Sequence, residues 1–506
     1  MMIFRSSMVG SEHLKRKEEP LVPLSFSSAL TPFVALIFLA SPLQAGTLDV
    51  HQVLARVLNY HPSLKIAMLE LQSAQHEGKR VRSRLGWQLG AAAGVRHDVS
   101  FFGSPNDVLD LNTQLTRQLA TGETVSLSAS LAYNRADVSL IPGFPNPYTD
   151  TRLDLSYRIP LQKGKGNLPY QQAVADSGRG VDVQQTNLMM QADRLAWQLV
   201  DLYYALASNE MRLSNGRQSI KRAQRLMDYI NERSQLGVAE GKDQLQVQAQ
   251  LKSLYAQQQI LKSQVRQQQI ALNRLMGNRW DEVFSLVIQN KTVNHFEHDT
   301  VLAQAQQYSP QLRQFEIQLT QIEGQIAVRR DARKNQLDLV LFAGDRDLRG
   351  DLLVSSYMDN EIIGGFRFEF KQSMNRDGVD AELYQAQLQR GLMLQQKTQY
   401  LDGLKYDVAS LLTELTDSVY TLRAQRASLS VEQDKLSDAE WRYRDGRMDM
   451  DQVIAFENQL SNVELALASQ ELDILRLLKR ISIIQGGLWD EVELPAYLSF
   501  IKEGAL

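Results

Sequence analysis

The chain of 506 residues contains no cysteine. That excludes disulfides, thiolate zinc, Fe–S clusters, cysteine nucleophiles and lipid attachment through sulfur. It also lacks an excess of either charge. The 55 Lys+Arg and 58 Asp+Glu leave a formal net charge of −3, which removes the electrostatic case for nucleic acid as a partner. Long apolar runs are scarce, and a mean hydropathy of −0.30 is hard to reconcile with a set of membrane-spanning helices. Proline is rare and unevenly placed: its thirteen occurrences leave residues 170–309 and 311–494 without any. What is present is 43% hydrophobic and 22% charged residues, a balance that argues against disorder.

The longest apolar stretch lies near the start. Phe33 to Ala40 is followed by Ser41-Pro42-Leu43-Gln44-Ala45, with Arg5, Lys15, Arg16 and Lys17 upstream. This is the order of a secretory signal, and the run is too short to span a bilayer. Cleavage is expected after Ala45, so 1–45 is assigned as a signal peptide and the remaining 461 residues as an exported protein.

Proline costs roughly 3 kcal/mol inside a helix, so the two proline-free tracts permit very long helices. One is expected from about Tyr170 to Ser234 and another from about Val379 to Arg444. At 1.5 Å per residue each would reach roughly 100 Å. Gly237 and Gly446 then suit helix C-caps, where the chain reverses. Beyond Gly237, Val247, Leu251, Leu254, Gln258, Leu261, Val265, Gln268, Leu272 and Leu275 alternate steps of four and three. The same seam runs from Phe456 to Ile484, displaced by 209 residues. Such a seam marks coiled-coil packing.

The chain also repeats itself. Val53, Tyr60, Pro62 and Leu64 recur as Val301, Tyr308, Pro310 and Leu312 at an offset of 248. Asp201, Tyr204 and Leu206 resemble Asp417, Tyr420 and Leu422 at 216, and Trp280-Asp-Glu-Val283 matches Trp489-Asp-Glu-Val492 at 209. The shared order indicates a tandem duplication. The offset falls from 248 to 209, so the first half carries 39 extra residues, mostly between Leu89 and Asp201. The resulting division is 46–290 for the first repeat, 291–300 for a connector, 301–494 for the second repeat and 495–506 for a tail. Trp280 and Trp489 close the repeats and read as packing anchors at helix ends.

Between the helices the period changes to two. Val125, Leu127, Ala129 and Leu131 alternate with serines; Leu155, Tyr157 and Ile159 and then Phe366, Phe368 and Phe370 alternate with polar residues. Further candidates are 88–98, 110–119 and 336–344. Segments of about ten residues, apolar on one face only, are the signature of a transmembrane β-barrel. About four strands per chain, two in each half, are expected; that is too few to close a barrel, so several chains must share one.

Nothing points to catalysis. His295-Phe-Glu-His298 lacks the context of a zinc motif, Lys163-Gly-Lys-Gly166 lacks the Walker spacing, and no carboxylate pair is marked as buried. No cofactor or metal is expected.

With these features in place the chain resembles the TolC-like outer-membrane efflux protein family over about 47–494. The resemblance is carried by the tandem order of helix, strands, helix and helix, and by Arg233-Ser-Gln-Leu-Gly237 before a Gln-rich helix. Ala271-Leu-Asn-Arg-Leu-Met-Gly277-Asn at that helix's end, Ala55-Arg-Val-Leu-Asn-Tyr-His-Pro62 and Leu155-Ser-Tyr-Arg-Ile-Pro-Leu161 add to it. It implies a mostly α protein with a β-barrel segment: a homotrimer whose strands form one twelve-stranded outer-membrane barrel, continued by a long periplasmic α-helical tunnel. It further implies a passive exit duct for efflux or type I secretion, joined to a periplasmic adaptor and an inner-membrane transporter. The family's adaptor-facing tips map onto Arg233, Leu236, Gly237 and Val238, and onto Arg442, Gly446 and Arg447. Its periplasmic gate maps onto the stretch holding Tyr420, Asp434, Asp438 and Arg442. Asp434 and Asp438 are four apart and share a helix face. Around a threefold axis they would form rings of like charge; alternatively they form a solvated face with helix-to-helix salt bridges. A periplasmic coiled-coil adaptor or scaffold is the rival reading of the whole chain.

Overall fold

A computed structural model describes residues 47–99, 105–136, 144–235, 241–289, 295–352 and 355–498. The signal segment and its cleavage site lie outside these, as do Leu236, Gly237 and Val238 of the first tip.

The first half opens with a two-residue strand β1 (Thr47–Leu48) and the helices α1 (Val50–Tyr60) and α2 (Pro62–Ser83). Pro62 separates them: the residue before a proline is driven out of the helical region, and His61 sits at ψ 127°. Ser309 before Pro310 does the same in the second half, and its Oγ accepts a hydrogen bond from Leu312 N at 3.3 Å. Four strands follow, β2 (Gln88–Val99), β3 (Pro105–Gln118), β4 (Thr124–Ala136) and β5 (Tyr148–Pro160). Then come α3 (Leu168–Gln235), α4 (Gly241–Met276) and a short strand β6 (Ser285–Leu286) that pairs with β1. The second half has α5 (His298–Tyr308), α6 (Pro310–Ala332), β7 (Gln336–Asp351), β8 (Ser356–Lys371), α7 (Asp377–Arg444) and α8 (Met450–Ile484).

The long helices α3 and α7 have 68 residues each and start 209 residues apart. Both agree with the proline-free reading to within two residues. Their equal length also corrects one expectation. If α3 and α7 correspond at 209, the counterpart of Asp201 is Ser410, and the match of Asp201 to Asp417 is a slip of one heptad. A heptad pattern resembles itself every seven residues, so sequence comparison slides along it without penalty.

Helix α3 packs against α2 and α4 of its own half and against α6 and α8 of the other; α7 packs against α5, α6 and α8. The heptad seam works as read. On α4, Val247, Val265, Leu272 and Leu275 are buried and Leu251, Leu254 and Leu261 half-buried, whereas most residues between them are exposed. The largest core joins the ends of α4 and α8 to the middle of α3 and to α1 and α5. Tyr203 ties the small sheet into it by donating to the carbonyls of Leu48 (3.1 Å) and Val287 (2.7 Å).

The strand count differs from the expectation of about four. The six long strands form one antiparallel sheet in the order β2-β3-β4-β5-β7-β8, with four strands from the first half and two from the second. The hairpin β3–β4 occupies the region to which the 39 extra residues were traced. Reading both tryptophans as anchors also needs correction. Trp489 is 1% exposed, but Trp280 is 60% exposed. The reason is positional: Trp489 is tied through Tyr308 to Asp193 of α3, whereas among the described residues no helix covers the Trp280 ring.

Candidate functional site

The ladders assign every strand residue to one of two faces. Leu89, Leu115, Leu127 and Leu155 stand in one row across β2 to β5 through the pairs Leu89↔Leu115, Leu115↔Leu127 and Leu127↔Leu155. The row above runs Ala91, Thr113, Ala129, Leu153, and β8 adds Phe366, Phe368 and Phe370 on the same side. Leu89, Leu127, Leu155 and all three phenylalanines are exposed. A soluble monomer rarely exposes so large an apolar surface. On β4 the apolar residues run from Val125 to Tyr133, nine positions, close to the length a tilted strand needs to cross the hydrocarbon.

The other face is polar. Ser126, Ser128 and Ser130 of β4 share it with Asp150, Arg152 and Arg158 of β5. Cross-strand ion pairs knit it together: Arg346 to Asp150 at 2.9 Å, Arg158 to Asp338 at 2.8 Å and Arg158 to Glu369 at 2.5 Å. A sheet apolar on one face and charged on the other suits lipid outside and water inside. Among the described residues, no helix is long and apolar enough to cross a membrane, and no cluster of His, Asp and Glu could hold a metal ion.

At the far end of the helices, α7 turns into α8. Gly446 takes φ +73°, and the turn closes through Gly446 N to Tyr443 O (3.0 Å) and Arg447 N to Arg442 O (2.8 Å). That bonding pattern is the Schellman cap, which needs a left-handed residue and therefore favours glycine. Arg442 pairs with Asp438 at 2.8 Å, Arg447 covers the Trp441 ring, and Arg233 and Arg444 both cover the Tyr229 ring. Tyr443 donates to Asp243 at 2.9 Å, tying α7 to α4, and burial raises its phenol pKa. The structure brings Tyr420, Asp434, Asp438 and Arg442 onto one side of α7, all exposed. At 100° per residue they fall within an arc of about 80°. The Asp438–Arg442 pair lies within α7 itself, four residues apart.

Two buried networks were invisible in the sequence. Arg222 on α3 reaches across to α8, donating to Glu457 at 2.7 and 2.9 Å and to Glu464 at 3.1 Å. Trp489 Nε1 donates to the Tyr308 hydroxyl at 2.6 Å, which in turn donates to Asp193 at 2.7 Å. Each network spans the two halves, and residue spacing carries no signal for such contacts.

No family model matches the chain, and no curated protein matches it. Solved structures do. The outer-membrane channel OprN aligns over 87% of this chain and 90% of its own, with a TM-score of 0.64 at 15% identity. The CmeC outer membrane channel of Campylobacter jejuni covers 90% and 89%, with 0.64 at 17%. The outer membrane protein VceC of Vibrio cholerae covers 87% and 96%, with 0.62 at 14%. The chain has the TolC-like outer-membrane channel fold. At these identities the likeness carries the architecture, and the side chains must be read from this chain itself.

Proposed function

We propose that the protein is the outer-membrane exit duct of a tripartite efflux or type I secretion system. It acts as a passive channel and homotrimer, built from two tandem repeats, 46–290 and 301–494. It works with a periplasmic adaptor and an inner-membrane transporter, sits in the outer membrane of a Gram-negative cell and keeps most of its mass in the periplasm. It performs no catalysis and binds no nucleic acid. The observation that carries this reading is the six-stranded sheet, with one apolar face and one charged face, feeding directly into four helical columns: α3, α7, α2 with α4, and α6 with α8. A periplasmic adaptor or scaffold would have no use for the exposed phenylalanines of β8.

Fractionation tests the reading. The protein should require detergent for release from outer membranes and run as a heat-labile trimer band on mild gels. Recovery in the soluble periplasm would sink it.

The candidate gate is Tyr420, Asp434, Asp438 and Arg442, and the candidate adaptor tips hold Arg233, Leu236, Gly237, Val238, Arg442, Gly446 and Arg447. Replacing Asp434 and Asp438 together by Asn should change single-channel conductance or cation block severalfold in planar bilayers; unchanged currents would assign both to a solvated face. Gly446→Leu has open space for its Cβ. Its cost is therefore the left-handed backbone alone, about 1–2 kcal/mol. Export should fail while the trimer persists.

A further inference from the structure

The two halves carry the same three-residue corner. Gly277 and Gly486 both end a helix in the left-handed conformation, at φ +73° and +76°. A Cβ on either would point at a tyrosine, Tyr60 or Tyr308 respectively. Each glycine is followed three residues later by a tryptophan, Trp280 or Trp489. The second-half corner is complete, because Tyr308 and Trp489 are joined to Asp193 of α3. The first-half corner is bare: Tyr60 is 63% and Trp280 60% exposed. The residue of α7 that corresponds to Asp193, at the offset of 209, is Asp402, which is also exposed.

The same correspondence can be drawn lower down. Arg222 of α3 meets Glu464 of α8 inside the chain. Their counterparts are Val431 of α7 and Tyr255 of α4, 55% and 47% exposed. Two apolar side chains thus replace an ion pair, and neither is covered. Helix α7 also presents Leu392 and Tyr406 to solvent. They are spaced by 14 residues, two heptads, so they lie on one line of a coiled-coil seam.

The sheet points the same way. Its edges are β2 and β8, and six antiparallel strands leave these two running in opposite directions. Under rotation β8 of one copy therefore meets β2 of the next antiparallel. The bulky Phe366 to Phe370 and the small Gly90 to Gly94 both lie at the helix-proximal end of their strands. In lipid an open sheet edge is not tolerated.

We propose that copies of this chain join head to tail, with α7 and β8 of one copy against α4, the α1–α2 corner and β2 of the next. Asp402 of one copy completes the Tyr60–Trp280 corner of its neighbour, and Val431 packs on the neighbour's Tyr255. The proposal rests on the trimeric duct reading and gives it a different barrel: three six-stranded sheets make eighteen strands, not twelve. The dimensions agree. Eighteen strands about 4.8 Å apart at a tilt of about 40° have a circumference of about 110 Å. Twelve helical columns about 9 Å apart also give about 110 Å, whereas twelve strands would give only about 75 Å. The β3–β4 hairpin lets the exit be as wide as the tunnel below it.

The cysteine-free chain makes the test direct. Full-length protein carrying Val431→Cys and Tyr255→Cys, oxidised in outer membranes with copper–phenanthroline, should shift largely to covalent dimer and trimer. Either single variant should stay monomeric on the same denaturing gel. Electron cryo-microscopy of the unaltered protein should count eighteen strands. A trimer that fails to cross-link, or one with twelve strands, overturns this joint and leaves the duct reading standing. A protein absent from the outer membrane removes the duct reading and the joint with it.

Discussion

Replacing Arg222 by alanine should destabilise the protein by about 3 kcal/mol at neutral pH, because it breaks a partly buried charge cluster by removing one sign only. Arg222, Glu457 and Glu464 have side chains 17%, 11% and 17% exposed. Desolvation already raises the Glu457 carboxyl pKa, against the pull of Arg222. Without the guanidinium that pull is gone, and the carboxyl moves further up. A carboxyl whose folded pKa lies above its unfolded value contributes fully below the unfolded pKa and loses that contribution as pH rises through the folded one. The deficit of Arg222→Ala should therefore shrink toward pH 5 and be complete at pH 8. Chemical unfolding at both pH values measures it. A deficit that does not change with pH would mean that lost packing, not stranded charge, is the cause. Arg222→Leu combined with Glu457→Leu should recover most of the loss, since apolar replacement of a buried pair is often neutral.

The extent of the helices was legible because it depends on local chemistry. Proline's absence and a four-three apolar rhythm are written along the chain, and they placed α3, α7 and the seams of α4 and α8 closely. The strands were legible one at a time. Six period-two stretches can be found in the sequence, yet only pairing reveals that all six stand in one sheet. Register joins Leu127 to Leu155 across the connection 137–147 and Leu155 to Ala343 across four helices, α3 to α6. Contacts of the second kind leave no spacing rule behind. The 39 extra residues were visible as an offset, but their identity as a hairpin inside the sheet was not. Trp280 and Trp489 look alike in sequence and differ in burial, because a neighbour covers one of them. Arg222 could not be distinguished from other helix arginines, since its partners lie on a helix about 235 residues away.

Trp489→Ala should cost about 3–5 kcal/mol, the usual loss for deleting a buried aromatic side chain. More than packing is at stake, because the indole holds the Tyr308 hydroxyl, which holds Asp193. Burial raises the Asp193 carboxyl to about 7 despite the hydrogen bond from Tyr308, and it raises the Tyr308 phenol. Tyr400, bonded to Ser309, is the other titratable group turned toward this corner. Asp193 is thus protonated more readily in the folded state than in the unfolded one. Its contribution is complete below about pH 4 and lost as pH rises through 7. Heat stability of the native protein should decline from pH 5 to pH 8, and Asp193→Asn should flatten that decline. A parallel decline in the variant would assign the effect elsewhere. The contrast with Trp280 sharpens the expectation. Inside one chain Trp280 touches little, so Trp280→Ala should leave the protomer's unfolding midpoint almost unchanged while dissociating the trimer at lower temperature. If Trp489→Ala melts the protomer and Trp280→Ala only parts the copies, the same corner serves once as an internal hinge pin and once as an external one.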